Sequence, residues 1–504
     1  MELLYDQVHY PLLTHSYTHP DRLAVVGRLM GLEPAHPSGC RVLDLGCGSG
    51  VNIIAMAELL PESHFAGIDY AQGQIDAGNR IVSHLGLSNV ELQAADILAL
   101  PDAIGPFDYI IAHGFYSWVP EEARQKALGL IKHSLAPQGI AFVSFNAYPG
   151  WHQLGALREM MLYRTRNITD PVEKVHAARE LVAILAEADT EDNPFAAYVR
   201  EYHASVHGRG PMPDSQLVAT LLHDELADVN QPFYFSQFVE NVNAAGLEHL
   251  AEGDLEGSTP VGINSEVVEK LTSFSTGRTD MEQYLDFLRN RLFHKALLCL
   301  PGAPVSRTLS ANAAALRGLY VGSAVSPRAD DNALGKVSFV TPDGLSYSTD
   351  QPLLHAAFQH LAEVRPDVVL FEDLLAHASA AAGSSLAGDA DALAVALIRN
   401  FLHGRSLAYF RVWRPPVFAG VSDRPRTTAF ARIMAGLDTD DVTSVRHERV
   451  TMTPAAKVLL PLLDGEHDLG SLLSALRASL GDSLTEDDLR QELAWLARAG
   501  MFLA

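Results

Sequence analysis

The run Asp44-Leu45-Gly46-Cys47-Gly48-Ser49-Gly50 joins the end of an apolar stretch, RVLDLG, to the start of a helical one. Glycines there let the backbone approach a ligand closely, and a helix N-terminus favours an anionic group. A dinucleotide fingerprint reads G-x-G-x-x-G. Here the spacing is G-x-G-x-G, Val51 stands where the third glycine would fall, and an acid lies two residues before the first glycine. Two more carboxylates, Asp69 and Asp96, end the next two apolar runs, HFAGID and VELQAAD. The two runs after those close on polar and aromatic residues: His113-Gly114-Phe115-Tyr116-Ser117-Trp118-Val119-Pro120, and Asn146-Ala147-Tyr148-Pro149-Gly150-Trp151. Aromatic walls can hold an aliphatic stem, and their faces attract cations. No cysteine-based or Ser-His-Asp constellation offers a covalent route, and a direct displacement needs none.

These residues must be positioned by the elements that carry them. Over 41–146, short apolar runs alternate with helical patterns, which predicts a parallel α/β sheet. Strand carboxyl ends form the ligand crevice in such sheets. Before it lies an aromatic, His-rich lead (Tyr5, His9, Tyr10, His15, Tyr17, His19) and then a helix opening at Pro20 with Asp21 in its first turn. Residues 152–231 are helical and polar, broken at Asp170-Pro171, Asn193-Pro194 and GRGPMPD. The α/β pattern returns at 232–302, with a helix ending at Gly246 and strands in LEHLAEGDL and FHKALLCL. We therefore expect one domain over 1–302 with a helical insertion at 151–231, then a linker over 303–330. Beyond it, PLLHAAFQHLAEVRPDVVLFEDLLAHA resembles PAAKVLLPLLDGEHDLGSLLSALRA, each followed by one more helix and an apolar end. Helix, turn, helix, helix, strand is a winged-helix-like order and predicts two such units, 331–420 and 421–504. A hairpin turning at Asp343-Gly344 precedes the first.

The glycine loop resembles motif I of class I S-adenosylmethionine (SAM)-dependent methyltransferases. That likeness implies a Rossmann-like α/β sheet and a SAM site. Gly46, Cys47, Gly48 and Gly50 would form its loop, and Asp44 would face the ligand's ammonium. Asp69 would lie at the ribose, Asp96 and Ile97 at the adenine, and Tyr70 and His113 beside the cofactor. The Asn-Pro-Pro-Tyr sequence of amino-group enzymes acting on DNA bases or glutamine is not found at His113–Tyr116. The combination of YDxVxYP, THPDRLA, DLGCGSG, HGFYSWVP, NAYPGWH and YLDFLRNRLFHKALLC resembles a narrower group, the bacterial methyltransferases with a methyltransferase regulatory domain. Rickettsial protein lysine methyltransferases belong to it. This implies lysine N-methylation, with His113, Tyr116, Trp118, Asn146 and Tyr148 as candidates at the acceptor.

The chain has 504 residues, enough for about three domains at ~100–200 residues each. It is 48% hydrophobic without a run long enough to span a membrane. Its N-terminus, MELLYDQVHYP, has neither a basic nor an apolar leader region, and its three cysteines make no metal spacing. A cytoplasmic enzyme is expected, with no metal. The net charge of −24 repels phosphate backbones and attracts cationic partners. We therefore expect a basic or lysine-bearing protein or peptide partner and no nucleic acid; a homo-oligomer stays open. A small-molecule methyltransferase and a SAM-binding regulator without catalysis are the alternatives.

Overall fold

The structure is a computed structural model that describes residues 8, 10–188, 193–207, 214–306, 309, 312–328, 337–437 and 439–504. Tyr5, His9 and residues 208–213 of the GRGPMPD break lie outside the described residues.

Helix α1 (Pro20–Leu29) starts as its sequence demands: Pro20 takes the first helical position and the His19 ring accepts a hydrogen bond from the Asp21 amide. There follow β1 (Arg41–Leu45), α2 (Val51–Leu59), β2 (His64–Asp69), α3 (Gln72–Leu85), β3 (Val90–Ala94), β4 (Phe107–Ala112), α4 (Glu121–Ser134) and β5 (Leu135–Asn146). The chain then forms four helices, α5 (Gly150–Thr165), α6 (Pro171–Glu187), α7 (Pro194–His207) and α8 (Asp214–His223), before α9 (Phe235–Ala244) and β6 (Glu248–Glu252). Helices α10 (Ser265–Phe274) and α11 (Arg278–Arg289) lead into β7 (Phe293–Cys299).

The seven strands form one sheet in the order β3-β2-β1-β4-β5-β7-β6. Strands β1 to β5 pair in parallel, whereas β7 runs antiparallel to both β5 and β6. This is the Rossmann-like methyltransferase sheet. Helices cover both faces, so β1, β4 and the end of β5 are almost wholly buried. Helices α5 to α8 carry a separate apolar cluster that includes Leu157, Met161, Val175, Val199 and Leu222.

The segment expected to be a linker is more ordered than its composition suggests. It contains α12 (Ala313–Leu316), β8 (Tyr320–Gly322) and β9 (Ser326–Pro327). Next come β10 (Val337–Val340), β11 (Ser346–Thr349), α13 (Pro352–Val364), β12 (Val369–Leu370), α14 (Phe371–Ala382), α15 (Leu386–His403) and β13 (Tyr409–Arg411). Strand β8 is the centre of a small sheet, β12-β8-β13, and β9 pairs with β10. The first C-terminal unit thus begins before residue 331, because its sheet needs β8. Its hairpin turns at Gly344, with φ at 85°.

The second unit comprises α16 (Ala429–Ala435), the hairpin β14 (Asp441–Thr443) and β15 (Arg449–Thr451), then α17 (Pro454–Leu459), α18 (Leu469–Leu480) and α19 (Glu486–Arg498). Both units dock on the first domain. The buried Asp21 carboxylate accepts from Arg411 Nη1 at 3.0 Å and from the Val412 and Trp413 amides at 2.7 and 2.9 Å. Glu58 at the end of α2 accepts from the Ala429 and Phe430 amides at the head of α16. No helix of the described residues is long and apolar enough to cross a membrane.

Candidate functional site

The loop between β1 and α2 winds through three left-handed glycines, Gly46, Gly48 and Gly50, with φ of 72°, 56° and 71°. A Cβ at Gly46 would stand 2.8 Å from the Phe115 ring, and one at Gly50 2.7 Å from Leu92. A Cβ at Gly48 would meet nothing within 4 Å, so its backbone borders open space. Asp69 stitches the end of β2 to this loop. Its Oδ2 accepts from the Gly48 amide at 2.8 Å and its Oδ1 from the Ala71 amide at 2.9 Å. Asp96 heads a short turn, with Oδ1 accepting from the Leu98 amide at 2.9 Å. Asp44 is buried under the loop. Burial pushes its carboxyl up to about 8; the neighbouring Asp69 adds to this, and a hydrogen bond from Asn52 opposes it. Burial likewise holds the Cys47 thiol in its neutral form.

A cavity of about 750 Å³ opens at the carboxyl ends of β1, β2, β3 and β4, within the roughly 300–1,000 Å³ of ordinary ligand pockets. One part is bordered by the glycine loop with Asp44, Asp69, Tyr70, Asp96 and Ile97. Another is bordered by His113, Phe115, Trp118, Asn146 and Trp151. Trp118 and Trp151 meet edge to face, with ring centroids 6.2 Å apart. Asn146 is 3% exposed and its Nδ2 donates to Asn230 Oδ1 at 3.0 Å.

Two expected acceptor residues are not at the cavity wall. Tyr116 points into the core beneath it, with its ring edge-on to Phe238 and its hydroxyl accepting from Asn241 Nδ2. The turn after β4 sends Phe115 and Trp118 toward the cavity and Tyr116 away from it. Tyr148 stacks on His152 at 4.1 Å and packs against Tyr234, outside the cavity lining. His113 lines the cavity, but both its ring nitrogens are engaged, Nδ1 with Ser144 Oγ at 2.9 Å and Nε2 with the Tyr17 hydroxyl at 3.1 Å. Burial, with His15 and Lys295 nearby, pushes its value well down and keeps the ring neutral. With both nitrogens engaged by Ser144 and Tyr17, the ring is held in place at the cavity wall.

Several lining residues carry no signal in the sequence. Tyr10 and His15 come from the lead, Asn52 and Gln74 from α2 and α3, and Phe293 from β7. His223, Asp224 and Glu225 follow from the end of α8, brought back over the sheet by the helical segment. Burial raises the Asp224 carboxyl to about 7, opposed by a hydrogen bond from Tyr10. Only folding of the α5–α8 segment brings these acids to the crevice, and no local pattern marks them.

Comparison with known proteins agrees with this geometry. A methyltransferase domain model matches residues 36–187, the predicted methyltransferase regulatory domain matches 218–300, and the PKMT C-terminal winged helix domain matches 423–486. An uncharacterized protein of Rickettsia prowazekii is 35% identical over 245 residues, 47% of this chain and 93% of that protein. A second from the same organism is 27% identical over 483 residues, 94% of this chain and 85% of that one. The structure of PKMT2 from Rickettsia typhi in complex with AdoHcy superposes with a TM-score of 0.84 at 27% identity, covering 98% of this chain and 100% of that one. The chain belongs to the class I SAM-dependent methyltransferases that carry a methyltransferase regulatory domain and a PKMT-type C-terminal winged helix.

Proposed function

We propose that this methyltransferase acts on the side-chain amine of a lysine presented by a protein or peptide. The observation that carries the reading is the cavity wall beyond the glycine loop. It joins aromatic faces, Phe115, Trp118, Trp151 and Phe293, to the carboxyl groups of Asp224 and Glu225. Aromatic faces hold a four-carbon stem and attract a cation, and carboxylates favour its charge during entry. The ammonium must then lose a proton to solvent, because only the neutral amine has the lone pair that takes the methyl. Similarity to the rickettsial PKMT2 along nearly the whole chain supports the same acceptor class.

The glycine-loop half fits SAM. Asp44 is a buried carboxyl pushed up by burial and by Asp69, and the ammonium of SAM's amino acid part would offset both. Gln74 is 2% exposed, lines the cavity, and its Nε2 has no hydrogen-bond partner among the described residues. Gly48 leaves its backbone open to a ligand. Asp44 would hold the ammonium, Asp69 and Tyr70 the ribose, and Asp96 and Ile97 the adenine, with Gly46, Cys47, Gly48 and Gly50 as floor. Each Asp69 oxygen already accepts one amide, yet a carboxylate has about four lone-pair sites, so hydroxyls can still bind. SAM supplies an electrophilic methyl group on a sulfonium.

The chain's own residues orient the acceptor. Trp118 and Trp151 confine the stem. Asn146, anchored by Asn230 and by its amide to Ser117 Oγ at 2.9 Å, offers its carbonyl oxygen to the hydrogens of the amine. Orientation of this kind can contribute ~7–11 kcal/mol in favourable cases.

The test is incubation of the enzyme with labelled SAM and a lysate separated into protein and small-molecule fractions, followed by mass spectrometry. Label on lysine nitrogens of proteins is the expected result. Label confined to oxygen, sulfur or carbon, or to metabolites alone, would overturn the lysine reading and leave the SAM assignment standing.

A further inference from the structure

The β14–β15 hairpin, the wing of the second C-terminal unit, reaches the cofactor loop. Its strands pair from Asp441↔Thr451 to Thr443↔Arg449, and residues 444–448 form the tip. The tip is closed by hydrogen bonds from the Ser444 amide to the Glu448 carbonyl and from the His447 amide to the Ser444 carbonyl. His447 is held at φ 59°, a conformation rarely adopted by residues other than glycine, and is 2% exposed. A side chain kept in such a backbone conformation and wholly buried is placed there by its surroundings.

His447 Nε2 lies 3.1 Å from Asn52 Oδ1. The other ring nitrogen, Nδ1, is buried with no partner among the described residues, and Asn52 Oδ1 can only accept, so the proton sits on Nε2 and is donated to Asn52. Burial, with His15 and Arg411 nearby, holds the ring down to about 3, so it stays a neutral donor.

Asn52 is the second residue of α2, directly after the glycine loop, and lines the cavity. Its amide is fully used. Oδ1 accepts from His447 and from the His15 amide at 2.9 Å. Nδ2 donates to Thr18 Oγ1 at 2.9 Å, and the side chain is a neighbour of Asp44 that opposes the rise of its carboxyl. Beside it, Thr443 Oγ1 meets Thr14 Oγ1 at 2.8 Å and pins the lead next to His15.

We propose that His447 is a positioning residue for the cofactor site: through Asn52 the wing of the C-terminal unit fixes the orientation of Asp44 and of the His15 segment that borders the cavity. Without the His447 donor, Asn52 Oδ1 keeps only the His15 amide, and its amide group can turn away from Asp44. The C-terminal unit is therefore part of the SAM site although none of its described residues lines the cavity.

The inference rests on SAM being held at Asp44, and the experiment separates the two. SAM affinity is measured by calorimetry on the full chain, well below its melting temperature, for His447→Ala, His447→Gln, Glu58→Gln and Asp44→Asn. Glu58→Gln weakens the same docking surface at α16 without touching Asn52. The expected result is that His447→Ala weakens SAM binding about tenfold, as for one buried hydrogen bond. His447→Gln, whose amide can donate from a similar place, recovers most of the loss. Glu58→Gln lowers the melting temperature and leaves affinity unchanged. Wild-type affinity in His447→Ala alongside impaired Asp44→Asn would overturn the inference alone. Equal weakening in His447→Ala and Glu58→Gln would also overturn it, since docking as a whole would then be responsible. Unchanged affinity in Asp44→Asn would instead remove the placement of SAM on which it rests. Should His447→Ala fail to fold, His447→Phe, which keeps the ring volume and removes the donor to Asn52, takes its place with the same expected loss.

Discussion

Asp44 is a carboxyl group in a place where a carboxylate is costly. It is 4% exposed, Asp69 is close by, and its value rises to about 8. At pH 7 such a group is mostly protonated. A cation arriving beside it favours the ionised form and drives the proton off. SAM binding at pH 7 should therefore release a proton, read by calorimetry as a binding enthalpy that varies with the ionisation heat of the buffer. Asp44→Asn should abolish that dependence and weaken binding by about 1–3 kcal/mol. Wild-type binding with no proton release would place the ammonium elsewhere. At this scale the glycine loop is legible in the sequence, because three left-handed positions at alternate residues need glycine and the acid before them is fixed by strand register. The acceptor wall is less so. HGFYSW ends a strand in a turn, where the alternation of sides is lost, and nothing local separates Phe115 and Trp118, which face the cavity, from Tyr116, which enters the core.

Asp21 shows how one element can serve two purposes. It stands in the first turn of α1, as helix chemistry favours, yet its oxygens accept three hydrogen bonds from residues 411–413 at the end of β13. Arg411 is 3% exposed and Asp21 fully buried. Breaking a buried pair by removing one partner costs about 3–5 kcal/mol, because the other charge is left uncompensated. Asp21→Ala should thus lower the melting temperature and, in a calorimetric scan, separate an early transition of the C-terminal units from that of the first domain. A single transition at the wild-type temperature would show that the contact holds nothing together. Element order is legible where patterns are long: the alternating sheet over 41–146, the later strands near 248 and 293, and the repeated helices beyond 352. Strands β8, β9 and β12 are only two or three residues long and give no periodicity, so the 303–330 segment reads as a linker from sequence alone. The β14–β15 wing escapes notice for the same reason, and its bond to Asn52 joins positions 395 residues apart.

Across the whole molecule the charge of −24 acts before any contact is made. Acidic residues also stand at the cavity, where Asp224 and Glu225 are part of the lining, and at the head of the last helix, where Glu486, Asp487 and Asp488 follow one another. That helix turns Leu489, Leu493 and Leu496 inward, so its exposed side offers little to a phosphate backbone. A field of one sign favours encounter with partners of the other, and salt screens it: the Debye length falls from about 30 Å at 0.01 M to about 8 Å at 0.15 M. Two peptides with the same central lysine, one flanked by basic and one by acidic residues, should therefore differ in kcat/KM by about tenfold or more at low salt. The basic peptide should be preferred, and the gap should shrink as salt rises. The difference belongs in kcat/KM, because long-range attraction acts on encounter rather than on the bound complex. Asp224→Asn and Glu225→Gln together should narrow the gap even at low salt, since both carboxyl groups line the cavity. A salt-independent preference would assign selectivity to close contacts at the wall instead, and a preference for the acidic peptide would show that a local basic surface overrides the field of the chain.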